Sequence, residues 1–324
     1  MQQILLIVAA IALGLATGAF TGGFAFSSAV CLVAGIFLVT PSLFKFHLKD
    51  FAAVKGHMPA IGKNLWINYL LLTTIALAIG FASRDIGIAG ALFLLALLPG
   101  GGMVMMWIKN SGANVKLGFI IFMLNLALLL PVTLIFSQFY DLAAPFFPPV
   151  DLSALGETST GAGVAPMGPF MILIVIPFVI SRIILAFFPK LVAFTGKHQP
   201  LISKATMFGI VFYLFALSTS QLLFEVSLVE LAKALLATLV FYAAVVAVAL
   251  KLTDHSPDGK AVFWHIGTRY ITLALILAVF SVDTFGATFI LPIMFAYFIQ
   301  IGGSGFLSNW QKNYSHSAAS VATE

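Results

Sequence analysis

The sequence predicts an all-α integral membrane protein of ten transmembrane helices, arranged as two inverted five-helix repeats with interruptions in the fourth and ninth spans. Three observations carry that prediction. Of 324 residues, 61% are hydrophobic and only 8% charged, against about a quarter charged in an ordinary soluble domain, so there is too little charge to cover a soluble surface of this size. The apolar residues fall into runs of about 20, the length a helix needs to cross the hydrocarbon core. The basic residues between these runs alternate between many and few from one connection to the next.

The ten runs lie near 3–20, 24–41, 64–83, 86–108, 114–138, 167–188, 205–224, 228–250, 261–281 and 284–306. The first lacks a basic flank and meets the second after the short Gly18–Gly23 turn, so it reads as an uncleaved span rather than a signal peptide. Cys31, the single cysteine, lies in the second run as a small packing residue, and one cysteine builds neither a disulfide framework nor a cysteine metal cluster. Asn68 and Asn125 place amides in the middle of the third and fifth runs, as interhelical contacts or as substrate ligands. Arg182 lies two turns from the inner end of the sixth, within snorkelling reach of the interface. The seventh closes on Ser218-Thr219-Ser220-Gln221, a polar terminus. Trp66, Trp107, Trp264 and Trp310 fall near span ends, where an aromatic belt is expected.

Twelve of the sixteen basic residues lie on one side: Lys45, Lys49, Lys55 and Lys63, then Lys109 and Lys116, Lys190, Lys197 and Lys204, Lys251 and Lys260, and Lys312. The opposite connections hold only Arg84 and Lys233. Under the positive-inside rule this predicts a cytoplasmic-membrane protein with both termini cytoplasmic. The net charge of +5 is spread singly rather than in a basic run, which excludes a nucleic-acid-binding surface and leaves the lipid bilayer as the expected environment. An odd number of spans per half inverts the second half relative to the first. Residues 1–145 then form one repeat, 146–166 an outer connecting loop, 167–306 the inverted repeat and 307–324 a cytoplasmic tail. Many secondary transporters are built this way, with substrate held at the midplane where interrupted helices meet.

Two interruptions stand out. Pro99-Gly100-Gly101-Gly102 breaks the fourth span: proline removes a backbone donor and three glycines have little helix preference. The counterpart in the ninth is His265-Ile266-Gly267-Thr268-Arg269-Tyr270, with Gly267 as the weak point. Arg269 lies nine residues beyond Lys260, about 13 Å along an intact helix and close to half the bilayer. No span interior offers an Asp or Glu to pair with it. A guanidinium there stays charged and needs compensation from carbonyls, water, lipid phosphate or an anionic ligand. His265 is the candidate for proton coupling, or else a hydrogen-bonding residue near the inner surface.

These landmarks resemble a family. Pro41-Ser42-Leu43 with Phe44-Lys45-Phe46, then Asn68, Pro99-Gly100-Gly101 and Gly267-Thr268-Arg269-Tyr270-Ile271-Thr272-Leu273-Ala274 are similar in order and spacing to those of the bile acid:sodium symporter superfamily, which includes arsenite-efflux permeases. The resemblance implies crossed broken helices at spans four and nine, a panel-and-core arrangement and alternating access. The departures bear on coupling. Gly102, Met103, Val104 and Met105 stand where sodium-coupled members carry small hydroxyl and amide side chains. His265 and Arg269-Tyr270 stand where they carry a Glu and a Gln-Asn pair, so both sodium sites look dismantled. Met103 to Trp107 resembles the arsenite permeases, but their Pro-Cys is Pro99-Gly100 here and their Glu before Leu-Ala is Thr272.

The expected function is a carrier for a small organic anion, not coupled to sodium. Its substrate-binding residues are Gly100, Gly101, Gly102, Gly267, Thr268, Arg269, Tyr270, Asn68 and Asn125, and no cofactor or metal is expected. The alternatives are a membrane sensor or scaffold on a transporter fold and an arsenite-type efflux permease. An enzyme is not expected, since no span interior holds a carboxylate pair, a Ser-His-Asp set or a metal cluster.

Overall fold

The computed structural model describes residues 2–25, 55–101, 103–149, 176–224, 226–279 and 281–321, with scattered positions between 27 and 44. Half of the second expected span, including Cys31, lies outside the described residues. So do Gly102, most of the 146–166 connection and the first part of the sixth span.

The described structure is helical apart from two isolated bridges between extended backbones. In chain order it forms α1 (Gln2–Thr21), α2 (Lys55–Ser83), α3 (Ile86–Leu97), α4 (Val104–Asn110), α5 (Val115–Ala127) and α6 (Leu129–Ser137). These are followed by α7 (Ile176–Phe187), α8 (Pro189–Ala216), α9 (Leu228–Leu252), α10 (Pro257–Gly267), α11 (Ile271–Val279) and α12 (Ile290–Val321). Among the described residues, Lys55–Ser83, Leu228–Leu252 and Ala287–Ser308 are each long and apolar enough to cross a membrane, and up to five such spans result if two bent pairs each count as one. These long apolar helices make the chain a multi-pass membrane protein.

That count differs from the ten runs read from hydropathy, for identifiable reasons. The fourth and ninth runs are each divided into two helices too short to cross alone, α3 with α4 and α10 with α11. In the fifth run, Pro131 withdraws a donor from the helical ladder, and the axes of Val115–Ala127 and Pro131–Ser137 differ by 46°. After α7 the chain turns by 113° at Phe188-Pro189, with Pro189 in the first turn of α8. The expected loop carrying Lys190, Lys197 and Lys204 is therefore helical and continuous with the seventh run, because proline at a helix start favours the following helix.

Local signals set the other boundaries. Arg84, in the left-handed region, ends α2, and the Asp85 carboxylate accepts from the Ile88 amide at 3.0 Å to start α3. Ser227 and Glu230 form a capping box on α9, and Ser256 caps α10 just before Pro257. Within α2, Ile67–Leu72 is a π-helical segment, and it contains Asn68.

Packing places the interrupted helices inside. Every residue of α3 is buried, as are α10 beyond its first turn, from Ala261 to Gly267, and all of α11 but Thr272. α2 and α12 pack on α3, α9 packs on α10 and α12, and α12 lies against α11. At the side of this core α1 runs against α8, where Gly14 meets the Phe212 carbonyl so closely that a Cβ would lie 2.6 Å from its oxygen.

Close approach also governs the α2–α3 pair, where a Cβ on Gly80 would lie 2.7 Å from the Ala89 Cα. Gly80→Val is expected to destabilise the protein by about 1–3 kcal/mol through this clash. Gly62→Ala, at a helical position with nothing within 4 Å, is expected to stabilise it by about 0.4–1 kcal/mol. Thermal unfolding of the two variants in detergent checks the contrast.

Candidate functional site

The two interruptions meet each other. Pro99 has no amide hydrogen and forces Leu98 out of the helical region (φ −114°, ψ 67°), so α3 stops at Leu97 and the chain runs extended before α4. α10 stops at Gly267, and Thr268 is extended (φ −119°, ψ 150°). The two extended pieces lie antiparallel with Pro99 opposite Arg269. The Gly100 amide donates to the Thr268 carbonyl and the Tyr270 amide to the Leu98 carbonyl, each at 2.8 Å. Backbone groups freed from two helices in a lipid-surrounded core are thereby satisfied by one another. The crossing needs its glycines. Gly100 has φ +62°, and a Cβ there would lie 2.6 Å from His265 Nδ1, while one on Gly101 would lie 3.1 Å from the Tyr270 Cα.

Arg269 is 1% exposed. Its Nη1 donates to Asn68 Oδ1 at 2.8 Å and makes a longer contact, 3.4 Å, with the Ala96 carbonyl. Nη2 donates to the Ile266 carbonyl at 2.8 Å. The guanidinium carbon lies 5.9 Å from the centre of the Phe241 ring, and Nε has no partner. The backbone of Arg269 is clamped as well: its amide donates to Gln300 Oε1 at 2.6 Å and its carbonyl accepts from Gln300 Nε2 at 3.0 Å. Tyr242 donates its hydroxyl to the same Gln300 oxygen at 3.1 Å. Among the described residues no carboxylate pairs with Arg269; every partner is neutral.

On another side of the crossing is a narrow cavity lined by Pro99, Gly100, Asn125, Tyr270 and apolar residues including Phe122 and Leu273. It has room for about one water. Asn125 Nδ2 donates to the Pro99 carbonyl at 3.2 Å, and its Oδ1 is 3.4 Å from the Tyr69 hydroxyl. His265 stands beside Gly100. Its Nε2 lies 2.8 Å from the Gly118 carbonyl, which can only accept, so Nε2 carries the hydrogen; Nδ1 is buried without a partner.

The expected site residues thus divide. Gly100, Asn125 and Tyr270 line the cavity. Arg269 and Asn68 meet each other away from its lining, so the Arg269 guanidinium is turned into protein oxygens rather than towards open space. Gly267 ends α10, and Thr268 returns its hydroxyl to the Trp264 carbonyl at 2.6 Å. Gly101 packs on Tyr270, and Gly102 lies outside the described residues. His265 is fully buried. Trp107 and Trp264 are corrected too: they stack at 5.7 Å in the core, Trp264 donating to Ser111 Oγ at 2.8 Å, so they are not belt residues. Trp66, 52% exposed, faces out of the helix packing. Gln300, Tyr69 and Tyr242 belong to the site without having been singled out from the sequence. Gln300 alone was findable, as a lone amide in the apolar tenth run by the reasoning applied to Asn68.

The described residues contain no group of three or more His, Cys, Asp or Glu able to hold a metal. The sequence matches no protein-family model and no curated protein.

Gln300→Leu strands both backbone groups of Arg269 in a buried place. A loss of about 2–3 kcal/mol in detergent unfolding is expected, while Gln300→Glu, which keeps an acceptor for the Arg269 amide and adds a charge partner, is expected to lose less.

Proposed function

We propose that this protein is a secondary transporter that carries a small organic anion across the cell membrane by alternating access, without sodium. One observation carries the reading: a fully buried arginine with no carboxylate partner among the described residues, on the antiparallel crossing of two interrupted helices. An arginine in the middle of a span costs about 3 kcal/mol or more on insertion scales, and such residues mark substrate and ion pathways. Half-helix ends meeting at the bilayer midplane are a recurring way to build a transporter site.

In this reading Asn125, Tyr270 and the Gly100 backbone contact the substrate, and Arg269 sets the potential from behind one layer of backbone. α11 begins at Ile271, next to the cavity residue Tyr270, so the positive end of its dipole favours negative charge at the same place. The cavity as it stands is too small for an organic anion, so loading requires the surrounding helices to separate, as alternating access demands. The order of landmarks supports a relation to the bile acid:sodium symporter superfamily, and with it ten spans in two inverted repeats, both termini cytoplasmic. His265 Nδ1, unpartnered beside Gly100, is the group through which proton movement would couple.

The test is uptake of radiolabelled small carboxylates and sulfonates into proteoliposomes in sodium-free medium. Flux above protein-free vesicles is expected for the wild type and separates a carrier from a sensor. Arg269→Ala is expected to weaken anion uptake about 10- to 100-fold, and Arg269→Lys less. Undiminished affinity in both variants overturns the reading.

A further inference from the structure

The partners of Arg269 have a pattern that anion recognition alone does not explain. Ala96 is in the last turn of α3 and Ile266 in the last turn of α10, so the guanidinium bridges the C-terminal ends of two interrupted helices, with Asn68 Oδ1 as a third oxygen. Each helix end carries about half a negative charge. Two of them sum to roughly one unit, which a single monovalent cation balances. A divalent ion would leave surplus charge in a low-dielectric core, and calcium and magnesium sites ordinarily include carboxylates, absent from this set. Neutral oxygens at converging half-helix C-termini, here two carbonyls joined by the Asn68 amide oxygen from α2, are donors with which transporters hold sodium.

We propose that Arg269 is a tethered cation: its guanidinium fills an oxygen cage, formed by Ala96 O, Ile266 O and Asn68 Oδ1, that takes a free sodium ion when the side chain is removed. A further observation supports this. The cage stands without the side chain, because the Arg269 backbone is held by Gln300 and its neighbours Thr268 and Tyr270 are held by the crossing. The fixed charge cancels the two negative helix ends, which would otherwise repel an anion from the adjacent cavity. It does so permanently, where a sodium-driven protein would need to bind an ion first. That consequence rests on the carrier reading; the cage itself does not.

The experiment is thermal unfolding of purified full-length protein in detergent, in choline, potassium and sodium chloride at equal ionic strength. The wild type is expected to unfold at the same temperature in all three. Arg269→Ala is expected to lose about 5 °C in choline and to regain most of it in sodium, saturably. Arg269→Lys keeps a tethered charge and is expected to respond to none of the salts. Adding Asn68→Leu to Arg269→Ala removes one cage oxygen and is expected to abolish the sodium response. The proposal is overturned if Arg269→Ala is as stable as the wild type in choline, if sodium restores nothing, or if the variant folds in none of the salts, since an intact cage would be refilled. It is equally overturned if Arg269→Lys shows the same sodium response as Arg269→Ala. Absence of flux in wild-type vesicles would remove the carrier reading and leave these temperatures unaffected.

Discussion

Two backbone hydrogen bonds, Gly100 to Thr268 and Tyr270 to Leu98, are the constraint on which the rest of the molecule depends. Each interruption taken alone would leave unpaired amides and carbonyls in a medium that cannot hydrate them, at several kcal/mol per group. Taken together they solve each other's problem. The solution requires the two pieces to be antiparallel, in contact and surrounded by protein. That requirement explains why α3, α10 and α11 are the most completely buried helices, and why Gly100 and Gly101 carry no side chain where the other strand and His265 press against them.

The crossing also creates an electrostatic problem, since it brings the C-terminal ends of α3 and α10 together. The Arg269 guanidinium is placed where those ends converge. Its fit rests on neutral groups: two carbonyls, the Asn68 amide and the face of Phe241. The π-helical segment that contains Asn68 brings that amide within 2.8 Å of the guanidinium, which links the irregularity of α2 to that of α10–α11. Gln300 then fixes the backbone that carries the charge. Three irregular elements and one amide from α12 hold a single cation.

How far these features could be read in the sequence varies by residue. The breaks were plain from composition, because proline and successive glycines oppose a helix whatever surrounds them. The interior placement of Arg269 in the fold was anticipated by its position in an apolar run past Lys260, and it is buried. Trp107 and Trp264 misled, because a tryptophan near a span end suits an interface equally well until its neighbour is known. The helical course of 189–204 was hidden because its lysines resemble a loop, although Pro189 is a good helix start. Gln300 was visible as a lone amide in an apolar run, but its role was not, because its partners are the Arg269 backbone 31 residues away and the Tyr242 hydroxyl, which no local pattern reveals.

What the amino-acid order determined alone was the solvent and the breaking points: long apolar runs with few charges belong in lipid, and Pro99, Gly100 and Gly267 interrupt helices by their own covalent chemistry. What only the tertiary structure decided was the direction of the Arg269 side chain. Sequence showed a cation without a nearby carboxylate and left open what answers its charge. Three-dimensional packing supplied the answer in peptide oxygens and one amide, because helix-end carbonyls gain their negative character from how helices stop and meet, not from any side chain a sequence displays.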